Sequence, residues 1–395
     1  MAAELQKLIA ALIERGLVDV AAIVEGDLKV SDAARRNRNQ RLERRRGPSY
    51  LIKRPEEGKG RMLAAEAGFY SLCRKEARAA AVARFVPRLF AYHPEEPLLA
   101  IELLQGARPL WQEYESHSEA GFPIRPAQAL GQVLGTVHAT FRSPGLAAGL
   151  RLGRLPSDPP LFLSLHQPGV WILRRLSPAR RRILRILQNE EGLSLKLSAL
   201  LPEWRSETLI HGDIRSDNVL VMPQHSEARA QIQLVDWESA QLGDPAWDIA
   251  GALQDFILFW IFGMPQSKEL SARERASRST RPLALLQPAL RAFWGGYRDA
   301  AGLETRQAGE LLLRSVRFSA ARLIQSAYEH SRGMDRLTVS SVLMLQTVSN
   351  ILADPLQAAL QLYGFWPETV LATASRGAGP GTGSEPPRAG ADDRI

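Results

Sequence analysis

Leu209-Ile210-His211-Gly212-Asp213-Ile214-Arg215-Ser216-Asp217-Asn218-Val219-Leu220-Val221 decides how the rest of the chain is read. An apolar dipeptide leads into a polar loop, and an apolar strand leaves it. Phosphoryl transfer to a hydroxyl needs one carboxylate that orients the hydroxyl and accepts its proton. It needs a second group, a few residues on, to hold a metal that neutralises the phosphates. Asp213 and Asn218, five positions apart, have those two chemistries. Asparagine suits the metal because its neutral oxygen adds no repulsion beside a triphosphate. A His-x-Asp-x-x-x-x-Asn pattern also arises by chance, so its neighbours decide the reading.

Downstream, Gln233-Leu234-Val235-Asp236-Trp237-Glu238 puts an acidic residue at a strand end, the position of a second metal ligand. Glu238 beside it is read as a surface carboxylate. Upstream, Tyr50-Leu51-Ile52-Lys53 ends an apolar strand with one of only seven lysines. Glu66 follows on a predicted helix, Met62–Ala81, and is positioned to pair with Lys53. Such a lysine grips the α- and β-phosphates of ATP while the glutamate fixes its rotamer. Lys53, Glu66, Asp213, Asn218 and Asp236 occur in the order a kinase-like fold needs. As an ordered set they outweigh the plain alternatives, a surface ion pair and a turn aspartate.

These residues resemble the aminoglycoside phosphotransferase and choline kinase-like phosphotransferase enzyme family, of protein-kinase-like fold. HGDIRSDNVLV is similar to its catalytic loop, and VDWESAQLGDPAWDIA to its metal-aspartate segment and following helix. LLAIELLQG resembles the hinge between lobes, and LGQVLGTVHA the helix before the catalytic region. The resemblance runs from about Val24 to Tyr328. It implies Asp213 as catalytic base, Asn218 and Asp236 as Mg²⁺ ligands, and backbone adenine contacts at Glu102 and Leu104. The acidic residue matching Asp248 braces the catalytic loop in the family, and His211 is expected to orient it. ATP (or GTP) is the implied donor. One departure stands out: where a glycine-rich phosphate loop is expected, this chain has Val30-Ser31-Asp32-Ala33-Ala34-Arg35-Arg36-Asn37-Arg38-Asn39. That stretch is open to two readings, a loop in which Ser31, backbone amides and an arginine close over the triphosphate, or a solvated basic hairpin.

The fold expected is α+β and two-lobed. Residues 1–105 should form a small antiparallel sheet with one helix, plus an amphipathic helix at the N-terminus. Candidate strands are Val20–Val30, Tyr50–Lys53, Phe85–Tyr92 and Leu98–Leu104. Residues 106–372 should form a mainly helical lobe: Pro126–Phe141, Ser177–Gln188, Pro245–Phe262, Pro282–Ala300 and Ala308–Ser331, interrupted by the hairpin Val219–Met222 and Gln231–Asp236. Residues 373–395, rich in glycine and proline, offer no core and should be disordered.

Composition bounds the function. The chain has 395 residues, 50 Lys+Arg and 42 Asp+Glu, for a formal charge of +8. A second arginine group, Arg174, Arg175, Arg180, Arg181, Arg182 and Arg185, reads as the polar face of an amphipathic helix rather than a nucleic-acid surface. One cysteine excludes an internal disulfide and fits a reducing, cytoplasmic setting. No apolar run is long enough for a membrane span, and HExxH, GxSxG and GxxxxGK[ST] motifs are absent. Only twelve positions separate Asp236 from Asp248, too few for the platform on which a protein kinase lays a peptide. The acceptor is therefore expected to be a small-molecule hydroxyl. From Gly251 to Pro355 there are thirteen Lys/Arg against nine Asp/Glu, which argues against a polycationic acceptor. A nucleotide-binding pseudokinase or scaffold, and a peptide-modifying kinase, are the competing readings.

Overall fold

Continuous apolar runs in its central strands, covered on both faces, set up the smaller lobe. Its strands are β1 (Leu28–Asp32), β2 (Arg38–Arg44), β3 (Tyr50–Arg54), β4 (Leu89–His93) and β5 (Leu98–Glu102). They pair antiparallel in the order β1-β2-β3-β5-β4. Tyr50 and Ile52 of β3, with Leu98 and Ala100 of β5, turn to one face. Leu51 of β3, with Leu99 and Ile101 of β5, turns to the other, as a period of two requires. The first face is covered by helices α1 (Ala2–Glu14) and α2 (Val20–Val24), through Leu8, Leu12 and Ala22. The second is covered by α3 (Gly60–Lys75), through Leu63, Ala67 and Tyr70. The computed structural model describes residues 2–33, 38–55, 60–116, 122–142, 155–174, 176–223, 231–267 and 269–371.

The larger lobe is built on α4 (Ile124–Phe141), α5 (Pro178–Asn189), α6 (Pro245–Phe262), α7 (Leu283–Ala301) and α8 (Thr305–His330). Helix α6 is buried on almost every face, the mark of a central core helix. Its start is fixed by Asp244, whose Oδ1 accepts the Ala246 amide at 2.9 Å, and by Pro245 in the first turn. Short strands knit the catalytic region to this lobe. β6 (Arg108–Pro109), β8 (Val219–Val221) and β9 (Ile232–Leu234) form one sheet, while β7 (Thr208–Ile210) pairs with β10 (Gln241–Gly243). None of the described helices is long and apolar enough to cross a membrane.

The α+β two-lobed architecture agrees with expectation, and three local readings are corrected. Val20–Val24 is helical rather than extended. Asp19 caps it by accepting the Ala22 amide at 2.6 Å, and packing of Ala22 on the sheet overrides the β-branched composition. The arginine-rich stretch, open to two readings, contains a strand, β2, that pairs with β1 as the two arms of a hairpin, with Leu42 its one buried apolar residue. Helix α3 stops at Lys75, six residues earlier than the alanine-rich run predicts. Phe85 precedes the strand assigned to it; its carbonyl accepts the Leu234 amide at 2.8 Å instead. The expected tail and the loop joining Val219–Met222 to Gln231–Asp236 lie outside the described residues.

Helices α4 and α7 cross so closely that a Cβ on Gly131 would fall on the Phe293 carbonyl oxygen. Neither backbone has a flexible end with which to yield. Gly131→Ala is therefore expected to cost about 3 kcal/mol, as overpacking does in a dense core. The readout is the urea unfolding midpoint, with an unchanged slope.

Candidate active site

Lys53 emerges from β3 into the space between the sheet and α3, where its ammonium is 5% exposed. An isolated charge there would be expensive. Its Nζ instead meets Glu66 Oε1 at 2.7 Å, Glu66 Oε2 at 2.9 Å and Asp236 Oδ1 at 2.7 Å. Burial alone would lower the lysine pKa, but the two carboxylates outweigh it and hold the group firmly charged. Glu66 is fully buried on α3 and also accepts the Tyr70 hydroxyl at 3.3 Å. Asp236 follows β9 in a left-handed conformation, φ 67° and ψ 57°, the sole non-glycine residue with positive φ among those described. Aspartate tolerates that region better than most residues, and the turn swings its carboxylate back toward Lys53.

The loop between β7 and β8 carries the other half of the site. Asp213 Oδ1 accepts Arg215 Nη2 at 2.8 Å and Nε at 3.1 Å, and Arg322 Nη2 lies 3.5 Å away. Burial pushes its carboxyl pKa up, but Arg215 and Arg322 more than offset this, so it sits below the ordinary carboxylate range. Asn218 donates Nδ2 to the Asp213 carbonyl at 2.9 Å and approaches Asp213 Oδ2 at 3.4 Å. With Nδ2 spent, the amide offers its oxygen to a cation. Asp236 and Asn218 lie at adjoining strand ends, tied by the Val235 amide donating to the Asn218 carbonyl at 3.0 Å. Glu238 stands in the same acidic group; burial and the Asp236 charge raise its pKa. Among the described residues no group of three or more His, Cys, Asp or Glu is arranged to hold a metal alone. Two oxygen ligands suit an ion whose other ligands are water and phosphate.

The loop is braced from beneath. Asp248 of α6 accepts the His211 amide at 2.7 Å and the Gly212 amide at 2.9 Å, while His138 Nε2 lies 3.2 Å from it. Gly212 has φ 81°, and a Cβ there would strike the Ser239 carbonyl. His211 bonds Val235 O through Nε2 at 2.9 Å and meets the Asp213 amide at Nδ1, so the ring is held between the two loops.

Three partners of the loop were not read from the sequence. Arg322, from α8, donates to the Ile214 carbonyl at 2.8 Å and packs over Trp247. Its signal was present: a lone arginine amid Ala320, Ala321, Leu323 and Ile324 on a buried helix. Asp255 accepts the Ser216 amide at 2.8 Å and is pushed up to about 6 by burial, against the Ser216 hydrogen bonds. Glu329 flanks Arg215 at 3.4 Å; neither acid carries a sequence signal.

The remaining predicted residues stand apart from this cluster. Ser31 pairs with Arg41, and Arg41 with Leu51, so Ser31 shares the sheet face of Lys53, two strands away. Residues 34–37 of the proposed nucleotide loop lie outside the described residues. The amide of Glu102 donates to Arg88 O at 2.9 Å, and Leu104 follows where the chain leaves β5.

An acidic group at Asp236, a buried lysine and a braced loop aspartate are thus brought together by segments far apart in the chain. The chain belongs to the phosphotransferase enzyme family, whose model matches residues 29–293. Solved structures similar to it include the choline kinase LicA from Streptococcus pneumoniae, at 14% identity over 89% of this chain and 99% of that one, TM-score 0.49. An aminoglycoside phosphotransferase from Alicyclobacillus acidocaldarius matches at 18% identity over 85% and 92%, TM-score 0.48. A GDP complex of an aminoglycoside 2'-phosphotransferase matches at 14% identity over 90% and 98%, TM-score 0.47. A curated mouse protein, acyl-CoA dehydrogenase family member 10, is 44% identical over 50 residues, which are 13% of this chain and only 4% of that protein.

The expectation of a non-polycationic acceptor is not borne out by these matches, which include aminoglycoside phosphotransferases. Five of the arginines counted in that span are tied up with acids. Arg281 pairs with Glu115, Arg298 with Asp299, Arg306 with Glu310, Arg314 with Asp244 and Arg317 with Glu203.

Asp248 yields a pH prediction. Burial would raise its pKa, but the His138 contact and the loop amides overcome this and lower it. Its native value is thus below the unfolded one of about 3.9, so its stabilisation is complete above that pH and is lost as pH falls through the native value. Asp248→Asn should lower stability by about 3 kcal/mol at pH 7. The gap to the parent should narrow in urea titrations repeated at acid pH.

Proposed function

We propose that this chain is an ATP-dependent phosphotransferase that moves the γ-phosphoryl group to a hydroxyl of a small-molecule acceptor. The observation that carries the reading is the single ammonium of Lys53 within 2.7 Å of both Glu66 and Asp236, which brings three distant sequence segments into one cleft. Lys53 would take the α- and β-phosphates, with Glu66 fixing its direction. Asn218 and Asp236 would hold Mg²⁺, whose charge, when bound, offsets that of the triphosphate. Adenine is assigned to the backbone of Glu102 and Leu104, at the boundary near residue 105 between the proposed lobes, and Ser31 to the phosphate-covering hairpin.

Asp213 is the proposed base. Its low pKa keeps it ionised and acceptor-only at neutral pH, a state that orients a hydroxyl and receives its proton as the phosphoryl group leaves ATP. With Oδ1 held by Arg215, Oδ2 is the oxygen presented to the acceptor. The short connection from Asp236 to α6 supports a small acceptor. It holds one 3₁₀ turn, Trp237–Ser239, and β10, with no surface on which to lay a peptide.

Labelled ATP incubated with the protein and a cell lysate should send label to the small-molecule fraction; label on protein would establish a protein kinase instead. Asp213→Asn should lower turnover by about 10²- to 10⁴-fold, with far less change in nucleotide affinity. Wild-type turnover in that variant would remove Asp213 from the role. Asp236→Ala should abolish the Mg²⁺-dependent thermal stabilisation by ATP. A wild-type chain that binds Mg²⁺-ATP yet transfers nothing would be a nucleotide-binding scaffold.

A further inference from the structure

Away from the cleft, α5 and the turn after α8 enclose a groove of about 460 Å³. Its lining carries Arg181, Arg182 and Arg185 from the helix, Arg336 and Leu337 from the turn and a single acid, Asp335. No guanidinium of these four arginines makes an ion pair or hydrogen bond among the described residues, unlike those of Arg298, Arg306, Arg314 and Arg317 of the same lobe. The arrangement works against local stability. Arg181 and Arg185 are i,i+4 neighbours of like charge, and the first turn of α5 holds cations and no acid at the positive end of the helix dipole.

The groove is also held open by groups that are not part of it. Arg180 turns away from its neighbours, donates to the Tyr328 carbonyl at 2.9 Å and lies 4.1 Å from the Tyr328 ring centroid. Ser177 Oγ donates to Ser331 O at 2.8 Å, and the Ala179 amide donates to Met334 O at 3.1 Å. The helix start is thus pinned to the turn, which fixes the backbone positions from which the four arginines line one groove. Unpaired, fork-shaped donors lining one groove match the oxygens of phosphate.

We propose that this groove is a binding site for a small phosphate-bearing ligand, separate from the nucleotide cleft. Its volume is that of a small-molecule site, which favours a compact ligand over an extended polymer. Inorganic pyrophosphate is the probe, titrated calorimetrically into the full chain without Mg²⁺ and at matched ionic strength. The parent and the Lys53→Ala chain should bind it alike, whereas Arg182→Ala/Arg185→Ala should bind about tenfold or more weakly. That double variant should keep the Mg²⁺-ATP thermal shift of the parent, which shows that it is folded. Three results would overturn the proposal: binding lost in Lys53→Ala, binding unchanged in the double arginine variant, or equal heat from sodium chloride alone. Tighter binding of a duplex DNA, with a steep salt dependence, would replace the small ligand by nucleic acid.

Discussion

Everything in the cleft is organised around one buried ammonium. Lys53 cannot remain charged between a sheet and a helix unless carboxylates meet it, and those carboxylates come from α3 and from the end of β9. Removing Lys53 would leave two carboxylates with no cation between them, one of them the fully buried Glu66, which costs several kcal/mol. The same requirement keeps the two lobes in register. Asp236 belongs to the helical lobe's short sheet, whereas Lys53 and Glu66 belong to the other lobe. The ion cluster therefore acts as a strut across the cleft as well as a candidate phosphate clamp.

Beneath the strut, the loop from His211 to Asn218 is held from three sides. Asp248 accepts two successive amides, Asp255 accepts a third at Ser216, and Arg322 bonds the Ile214 carbonyl. Backbone groups in a loop without helical or sheet partners must be satisfied somewhere. Here they are satisfied by side chains of buried helices, which leaves the Asp213 carboxylate and the Asn218 amide oxygen toward the cleft. The stiffness of α6, buried on almost all sides, passes directly to the loop through Asp248 and Asp255.

Much of the arrangement was legible in the chain itself. The five polar residues proposed for catalysis stand in sequence order beside apolar strand segments, and β3, β5 and α6 fall where their periodicity predicts. The arginine-rich stretch was harder, because β2 has a single buried apolar residue, Leu42, and its pairing energy comes from β1 and β3 rather than from its own side chains. Val20–Val24 failed for the opposite reason: its composition favours a strand, while Asp19 and the covered sheet face make a helix.

The sequence by itself determined which candidate groups for phosphoryl transfer the chain holds, because the identity and order of Lys53, Glu66, Asp213, Asn218 and Asp236 are properties of the polymer. Only the tertiary structure decided their electrostatic state. Asp213 lies below the ordinary carboxylate range because Arg322, 109 positions away, and Arg215 outweigh its burial. The four groove arginines share one groove because the turn after α8 brings Arg336 to α5. Coulomb interactions and desolvation act through space, over distances that sequence separation does not encode.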